Sequence, residues 1–271
     1  MIKVGLLGYG TVGGGVYNIL TTKKEDIERK LGEKIQIKKI LVKEKNKKRK
    51  YDVDDSLLTE DYKEIVEDPQ IQIVVELIGG ETPTLSYIKE AINGHKNIVT
   101  ANKLILAKYG RELFQLAKNN NVKVYYEGSV GGGIPIIKTL KESMIANKIE
   151  RVYGILNGTT NYILTKMTEK SIDFEEALKE AQNLGYAESD PYFDVSGLDS
   201  AYKINILSSL AFESFMDVDS IHVEGIEKIE REDIEIAEEL GYTIKLLAIG
   251  KRYEDKMLDI RVHPTFIPKS S

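Results

Sequence analysis

From residue 2 to residue 126, short apolar runs rich in Val and Ile alternate with stretches of helical period, and few folds accept that pattern. The runs are IKVGLL at 2–7, IQIKKILV at 35–42, IQIVVELI at 71–78, NIVTA at 97–101 and VKVYY at 122–126. Helix-period stretches run from Thr11 towards residue 30, at about 83–93 and at about 104–118. Strands that alternate with helices predict βαβ units and a parallel sheet. A run such as Ile73-Val74-Val75 fits a strand buried on both faces.

The first run ends in Gly8-Tyr9-Gly10-Thr11-Val12-Gly13, a GxGxxG spacing between a strand and a helix start. Alone the spacing is weak, because glycine-rich turns are common. In this setting it fits the fingerprint of a dinucleotide site. Gly8 permits the tight turn, Gly10 lets a pyrophosphate approach the backbone, and Gly13 allows close helix–strand packing. The helix start, with Thr11 and Val12, supplies N–H groups and a positive dipole end. A plain structural turn is the alternative.

The cofactor type depends on the end of the second strand, where an acid selects NAD and a cation selects NADP. Here Lys43 is followed by Glu44 and Lys45, inside KEKNKKRK. Lys43 reads as a contact to a 2′-phosphate. A solvated loop is the other reading, and Glu44 keeps NAD use open.

The pattern changes near residue 128. Residues 128–135, GSVGGGIP, break the alternation and lead into an expected helix at about 135–145. A strand at 150–156 follows, then helices at about 159–168, 173–184, 198–212 and 231–240, and strands at about 243–251 and 257–263. The fold class expected is therefore α/β. It combines an N-terminal Rossmann-like doubly wound parallel sheet, residues 1–128, with a second α+β domain, residues 129–271. The final segment is free to fold back on the first lobe, and the ending after Pro268 reads as abrupt enough for a truncation.

Of the 271 residues 42% are hydrophobic, enough for a core, and the net charge of -5 on a mixed surface gives no reason to expect nucleic acid or a membrane. No apolar run approaches the roughly 18 residues of a membrane span. The start at Met1 enters a strand pattern directly, so a cytoplasmic protein without a signal peptide is expected. There is no Cys, which excludes disulfides, thiolate metal sites and a thiolate nucleophile. Abundant Lys and Glu suit a thermophile and an AT-rich genome equally.

A second constellation lies at 154–203. GILNGTTN at 154–161 reads as a strand entering a helix. A loop at 185–197 carries Glu188, Asp190 and Asp194 between glycines, and Asp199 and Lys203 share a helix face at i and i+4. An ordinary surface pair of this kind is worth about 0.3–0.5 kcal/mol. The same helix is otherwise apolar (Leu198, Ala201, Ile204, Ile206, Leu207, Leu210), which points to burial and hence to a purpose. Such groups suit an amino-acid aldehyde. A carboxylate such as Glu188 can bind an ammonium, and a lysine held by Asp199 can protonate the alkoxide left by hydride transfer.

At this point the chain resembles the homoserine dehydrogenases. The motifs 8–13, Thr100-Ala101-Asn102-Lys103, 128–135, 154–161, 184–191 and Gly197-Leu198-Asp199-Ser200-Ala201-Tyr202-Lys203 stand in the family's order, from Met1 to about Pro268. The resemblance implies NADP- or NAD-dependent interconversion of L-aspartate 4-semialdehyde and L-homoserine, in the branch leading to threonine, methionine and isoleucine. It implies Lys203 and Lys103 as catalytic lysines with Asp199. Glu188, Asp194, Thr159 and Tyr186 would line the substrate site, and Gly79, Thr100 and Lys103 would add cofactor contacts. Glu127 with the carbonyls of Val130, Gly132 and Ile134 resembles the family's monovalent cation site, for Na+ or K+ in a structural role. A turn without an ion is the alternative. The family further implies homodimers, chains that continue past residue 271 and, in many members, a regulatory C-terminal domain.

Lys43 stands where Arg is common, and Tyr202 where a basic or small residue is usual. His95, His222 and His263 show no metal spacing and read as structural, with His263, before Pro264, the first candidate for another role. Two other functions compete: another Rossmann oxidoreductase acting on a small amino-acid aldehyde, and an inactive NADP-binding sensor or assembly subunit.

Overall fold

Ile2–Leu7 forms strand β1, and both Leu6 and Leu7 are fully buried. Successive side chains of a strand point to opposite faces, so this sheet is covered on both sides. The structure, a computed structural model, describes residues 1–254 and 257–271. It divides into two compact units, Met1–Ile134 and Pro135–Ser271. The division falls after the 128/129 change of sequence pattern, and the glycine-rich turn stays with the first unit.

In the first unit β1 is followed by α1 (Thr11–Thr22), α2 (Lys24–Leu31), β2 (Ile35–Leu41), β3 (Leu58–Thr59), α3 (Lys63–Val66), β4 (Ile73–Glu76), α4 (Thr84–Asn93), β5 (Asn97–Thr100), α5 (Lys103–Asn119) and β6 (Val124–Tyr125). Six parallel strands stand in the order β3-β2-β1-β4-β5-β6. The order switches direction between β1 and β4, and open α/β sheets bind ligands beyond the strand C-termini at such a point. Val4, Leu6, Ile37, Ile40, Val42, Leu58 and Val75 make one core cluster. Ile88 and Ile92 of α4 and Ile105 and Leu113 of α5 are also fully buried.

The helix expected from Thr11 towards residue 30 is two helices, broken at Lys23 (φ −110°, ψ 19°). Just before the break the hydroxyls of Thr21 and Thr22 bond back to the carbonyls of Tyr17 and Asn18. Such local bonds compete with helical hydrogen bonding. β3 and α3 were not expected from the sequence; they are two and four residues long and, unlike the short β6, lie in no longer apolar run.

The second unit holds α6 (Ile136–Lys138), β7 (Arg151–Gly154), α7 (Gly158–Lys170), α8 (Phe174–Asn183), α9 (Tyr192–Val195), α10 (Leu198–Phe212), β8 (His222–Val223), α11 (Arg231–Glu239), β9 (Tyr242–Arg252) and β10 (Leu258–Pro268). Its sheet has the order β7-β9-β10-β8. Ile244, Leu246, Ala248 and Gly250 alternate inward along β9. A Cβ at Gly250 would sit 2.3 Å from the Ser208 hydroxyl, so α10 lies against this face as closely as glycine permits.

Two expectations are corrected here, and the partners of the terminal segment become visible. The helix at about 135–145 is one α turn followed by π-helical backbone over Thr139–Ser143. The Thr139 hydroxyl takes the Pro135 carbonyl at 2.6 Å, and Met144 bonds to Thr139 five residues back. The loop at 185–197 contains the short helix α9. The terminal segment finds its strand partners within its own unit. It is β10, paired antiparallel with β9 from Leu258↔Arg252 to Pro268↔Tyr242 and parallel with β8. That ladder satisfies the strand's backbone groups locally.

Candidate active site

The glycine loop joins β1 to α1, and its three glycines answer to different constraints. Gly8 has φ +97°, and a Cβ there would meet the Leu77 carbonyl at 2.8 Å. A Cβ on Gly13 would lie 2.1 Å from the Gly8 carbonyl. Both are therefore demanded by the fold itself. Around Gly10 a Cβ would meet nothing within 4 Å. Gly10, Thr11 and Val12 are exposed at the N-terminus of a twelve-residue helix. Only a ligand approaching the backbone gives Gly10 a steric reason, and N–H groups at a helix start suit an anion. The loop thus fits a dinucleotide pyrophosphate.

Beside it, the C-terminal ends of β4 and β5 are organised by a residue the sequence reading passed over. Glu76 is fully buried. Its carboxylate accepts the amides of Ile78 at 2.8 Å and Gly79 at 3.1 Å, and the Thr100 hydroxyl at 2.5 Å. Thr84 donates to the Gly79 carbonyl at 2.7 Å, and the Asn102 amide side chain to that of Gly80 at 2.8 Å. Gly79 (φ +79°) and Thr100, both expected cofactor contacts, are so fixed in one network. Asn102 also caps α5 through the Ile105 amide. Lys103 is the first residue of that helix and half-buried. A cation there opposes the helix dipole by about 0.3–1 kcal/mol, a cost that favours a functional reading.

Lys43 is exposed directly after buried Val42. The basic loop it begins is folded by Arg49, which donates to the carbonyls of Lys45 (2.6 Å), Lys47 (2.7 Å) and Glu44. The Arg49 guanidinium also lies 5.9 Å from the centre of the Tyr9 ring, within the glycine motif. In the turn at 127–134, Gly131 and Gly132 take positive φ. Val130 is buried and Gly132 and Ile134 are exposed. Burial, and then the charge of Glu127, pushes the Tyr126 phenol up to about 12. Among the described residues no group of three or more His, Asp or Glu gathers as it would around a side-chain-held metal. Glu127 is the single carboxylate of the expected cation set, and the other donors are carbonyls.

In the second unit the expected residues converge on a side chain the sequence reading quoted without a role. Asn157 precedes α7 as its N-cap, and its Oδ1 accepts the Thr160 amide at 2.8 Å. Its Nδ2 donates to Asp194 Oδ1 at 2.7 Å and to Asp199 Oδ2 at 2.9 Å. Lys203 Nζ donates to the same Asp199 oxygen at 2.6 Å and to the Leu156 carbonyl at 2.7 Å. The Asp199 side chain is 3% exposed and that of Lys203 19%. Asp199 is buried and Lys203 half-buried, so this is not an ordinary surface pair; α10 turns nearly its whole circumference inward. An Asn directly before a helix start is a recognisable cap signal; the two carboxylates it serves come from α9 and α10, which only folding brings to it.

Thr159 donates its hydroxyl to the Tyr186 carbonyl at 2.8 Å, and the Tyr186 ring stacks on Tyr162 with centroids 4.7 Å apart. Glu188 is exposed two residues on, its carbonyl held by Gln182 at 3.1 Å. Tyr202 packs on Phe193 at 5.4 Å. His263 lies in β10 between Arg261 and Thr265 and bonds to both. His95 and His222 are exposed.

Comparison with known proteins agrees with both halves of this picture. The family profile for the homoserine dehydrogenase NAD-binding domain matches residues 8–127, and that for homoserine dehydrogenase matches 135–271. The homoserine dehydrogenase of Bacillus subtilis is 45% identical over 98% of this chain and 61% of its own length. A crystal structure of a homoserine dehydrogenase from Thiobacillus denitrificans superposes with a TM-score of 0.92 at 46% identity, over 100% of this chain and 62% of that one. A hyperthermophilic archaeal homoserine dehydrogenase in complex with NADPH gives a TM-score of 0.80 at 26% identity, over 100% of this chain and 83% of that one. The chain spans about three fifths of the length of the curated relatives it matches. With a nucleotide loop built from backbone in one unit and a largely buried Asp–Lys pair in the other, it belongs to the homoserine dehydrogenase family.

Proposed function

We propose that this chain carries the catalytic apparatus of a homoserine dehydrogenase, interconverting L-aspartate 4-semialdehyde and L-homoserine with NADPH, and with NADH as a second option. The observation that carries the reading is the largely buried Asp199–Lys203 pair, closed by Asn157 and the Leu156 carbonyl. When bound, the nicotinamide exchanges a hydride with the substrate carbon. Lys203 supplies the proton for the carbonyl oxygen and receives it in the reverse direction, so aldehyde, hydride and proton balance to an alcohol. Asp199 keeps that ammonium charged and aimed. Lys103 acts as a second cation for the developing oxyanion. Glu188 and Asp194 bind the substrate ammonium, with Thr159 and Tyr186 shaping their loop.

The first unit holds the dinucleotide through residues 8–13, Gly79 and Thr100, and Lys43 meets the 2′-phosphate of NADPH, the cofactor held by the archaeal relative. Glu127 with the carbonyls of Val130, Gly132 and Ile134 would hold a monovalent cation, Na+ or K+, in a structural role; these are hard oxygen donors of the type such ions accept. Replacing both ions by a bulky organic cation should lower thermal stability, and a chain indifferent to the exchange would remove this part of the reading. The second unit serves as substrate-binding and dimerisation domain of a cytoplasmic homodimer, and among the described residues no helix is long and apolar enough to cross a membrane. The deciding experiment follows NADPH absorbance after addition of aspartate semialdehyde. Turnover to homoserine is expected. NADPH binding without turnover would mark a sensor or assembly subunit, and oxidation with a different small aldehyde alone would mark another oxidoreductase.

A further inference from the structure

We infer that Asn157 is a positioning residue for the proposed chemistry: its one amide nitrogen ties Asp194 to Asp199 and thereby fixes the carboxylate that aims Lys203. The inference rests on the functional reading above and adds to it a residue that is not among the expected catalytic groups. Asn157 is 5% exposed, and each of its polar atoms is used. Both Nδ2 hydrogens go to carboxylates, at 2.7 and 2.9 Å, while Oδ1 caps α7 at 2.8 Å.

The arrangement has a chemical logic. Asp194 and Asp199 are two acids held by one amide group, and Lys203 is the ammonium bonded to one of them. Two carboxylates sharing one donor group repel each other, and a neutral double donor between them offsets that repulsion without adding charge. Only an amide presents two N–H donors on one side and an acceptor on the other at this size. Asp199 Oδ2 accepts from both Asn157 and Lys203, so its position, and through it the direction of the ammonium, depends on the amide.

Charged groups near Asn157 come from α9 (Asp194) and α10 (Asp199, Lys203). On the other elements packed against α7 the charges meet later turns: Glu180 of α8 through Tyr162, and Lys245 of β9 through Thr165. α11 turns Ile234 and Ala237 inward.

Two substitutions keep the helix cap and remove the double donor, since Ser and Asp both cap well. Asn157→Ser replaces the double N–H donor by one shorter hydroxyl, which cannot hold both carboxylates at once. It should lower kcat about tenfold at every pH, with the KM for NADPH unchanged. Asn157→Asp places a third carboxylate among two. The crowded cluster holds a proton to higher pH than a lone carboxylate does, and the protonated form regains one donor. Its kcat deficit should therefore be about a hundredfold at pH 9 and shrink towards that of Asn157→Ser as pH falls towards about 6. Circular dichroism and thermal melts establish that both variants fold. If the folded variants keep wild-type kcat, or if the Asn157→Asp deficit is flat with pH, Asn157 is only a helix cap and the inference falls. Absence of turnover by the wild-type chain, run beside them, would instead overturn the functional reading.

Discussion

The two candidate half-sites are built from opposite materials. In the first unit the working groups are mostly backbone: a helix start, Gly10 with open space where a Cβ would stand, and the Ile78 and Gly79 amides gathered by the Glu76 carboxylate, with Lys43 and Lys103 as the proposed charged side chains. In the second they are side chains, with an ion pair of 2.6 Å on α10 tied to Asp194 of α9 by the Asn157 amide. A backbone site tolerates most substitutions and fails when a glycine gains a side chain. A charged buried site fails when one charge is removed, because its partner is left uncompensated. Under the proposed function, Gly10 and Lys203 variants should break cofactor binding and proton chemistry separately, with Lys103 touching both.

The largest break should come at Lys203. Lys203→Ala is expected to lower kcat by about 10²–10⁴, or about 2.7–5.4 kcal/mol of barrier, with NADPH affinity near wild type. A kcat within about threefold of wild type, measured where hydride transfer limits the rate, would take Lys203 out of the mechanism. Lys103→Ala should lower kcat as well and, if both lysines serve one developing charge, the double variant should lose less than the product of the single losses.

The glycine loop offers a sharper contrast within one motif. Gly13→Ala forces a Cβ onto the Gly8 carbonyl and should cost about 1–3 kcal/mol of stability. Gly10→Ala should leave stability within about 0.5 kcal/mol and weaken NADPH binding at least about tenfold. Paired melts and cofactor titrations test this. Equal destabilisation by both would show that Gly10, too, serves only the fold.

Glu188 tests the exposed edge of the second half-site. Its exchange for Gln removes a charge-assisted hydrogen bond to the substrate ammonium, worth about 1.5–3 kcal/mol and expressed mainly in the KM for homoserine. An unchanged KM would return Glu188 to the loop as an ordinary solvated acid. The smallest effect belongs to Lys43, which is exposed. A single solvated cation contributes about 0.2–1 kcal/mol, so Lys43→Ala should raise the Kd for NADPH at most about fivefold and leave NADH unaffected. Matching changes for both cofactors would mean that the basic loop does not read the 2′-phosphate.

The amino-acid sequence by itself determined the elements with a long period or a local signature. The parallel strands, the glycine turn, and the i, i+4 geometry of Asp199 and Lys203 are local facts, set by spacing and by the conformations that glycine and β-branched residues allow. The short elements β3, β8, α3 and α9 were not legible, whereas the equally short β4, β5 and β6 were, because these lie inside longer apolar runs of the sequence. Tertiary structure alone decided that β10 stands between β9 and β8 in the second unit's sheet, because a strand's partner is chosen by the non-local ladder it completes. It alone decided that Glu76 is a buried hub and that Asn157 joins Asp194 to Asp199, residues 37 and 42 positions away along the chain. Polarity can be read from one residue, but burial and hydrogen-bond partners belong to pairs that only the fold brings together.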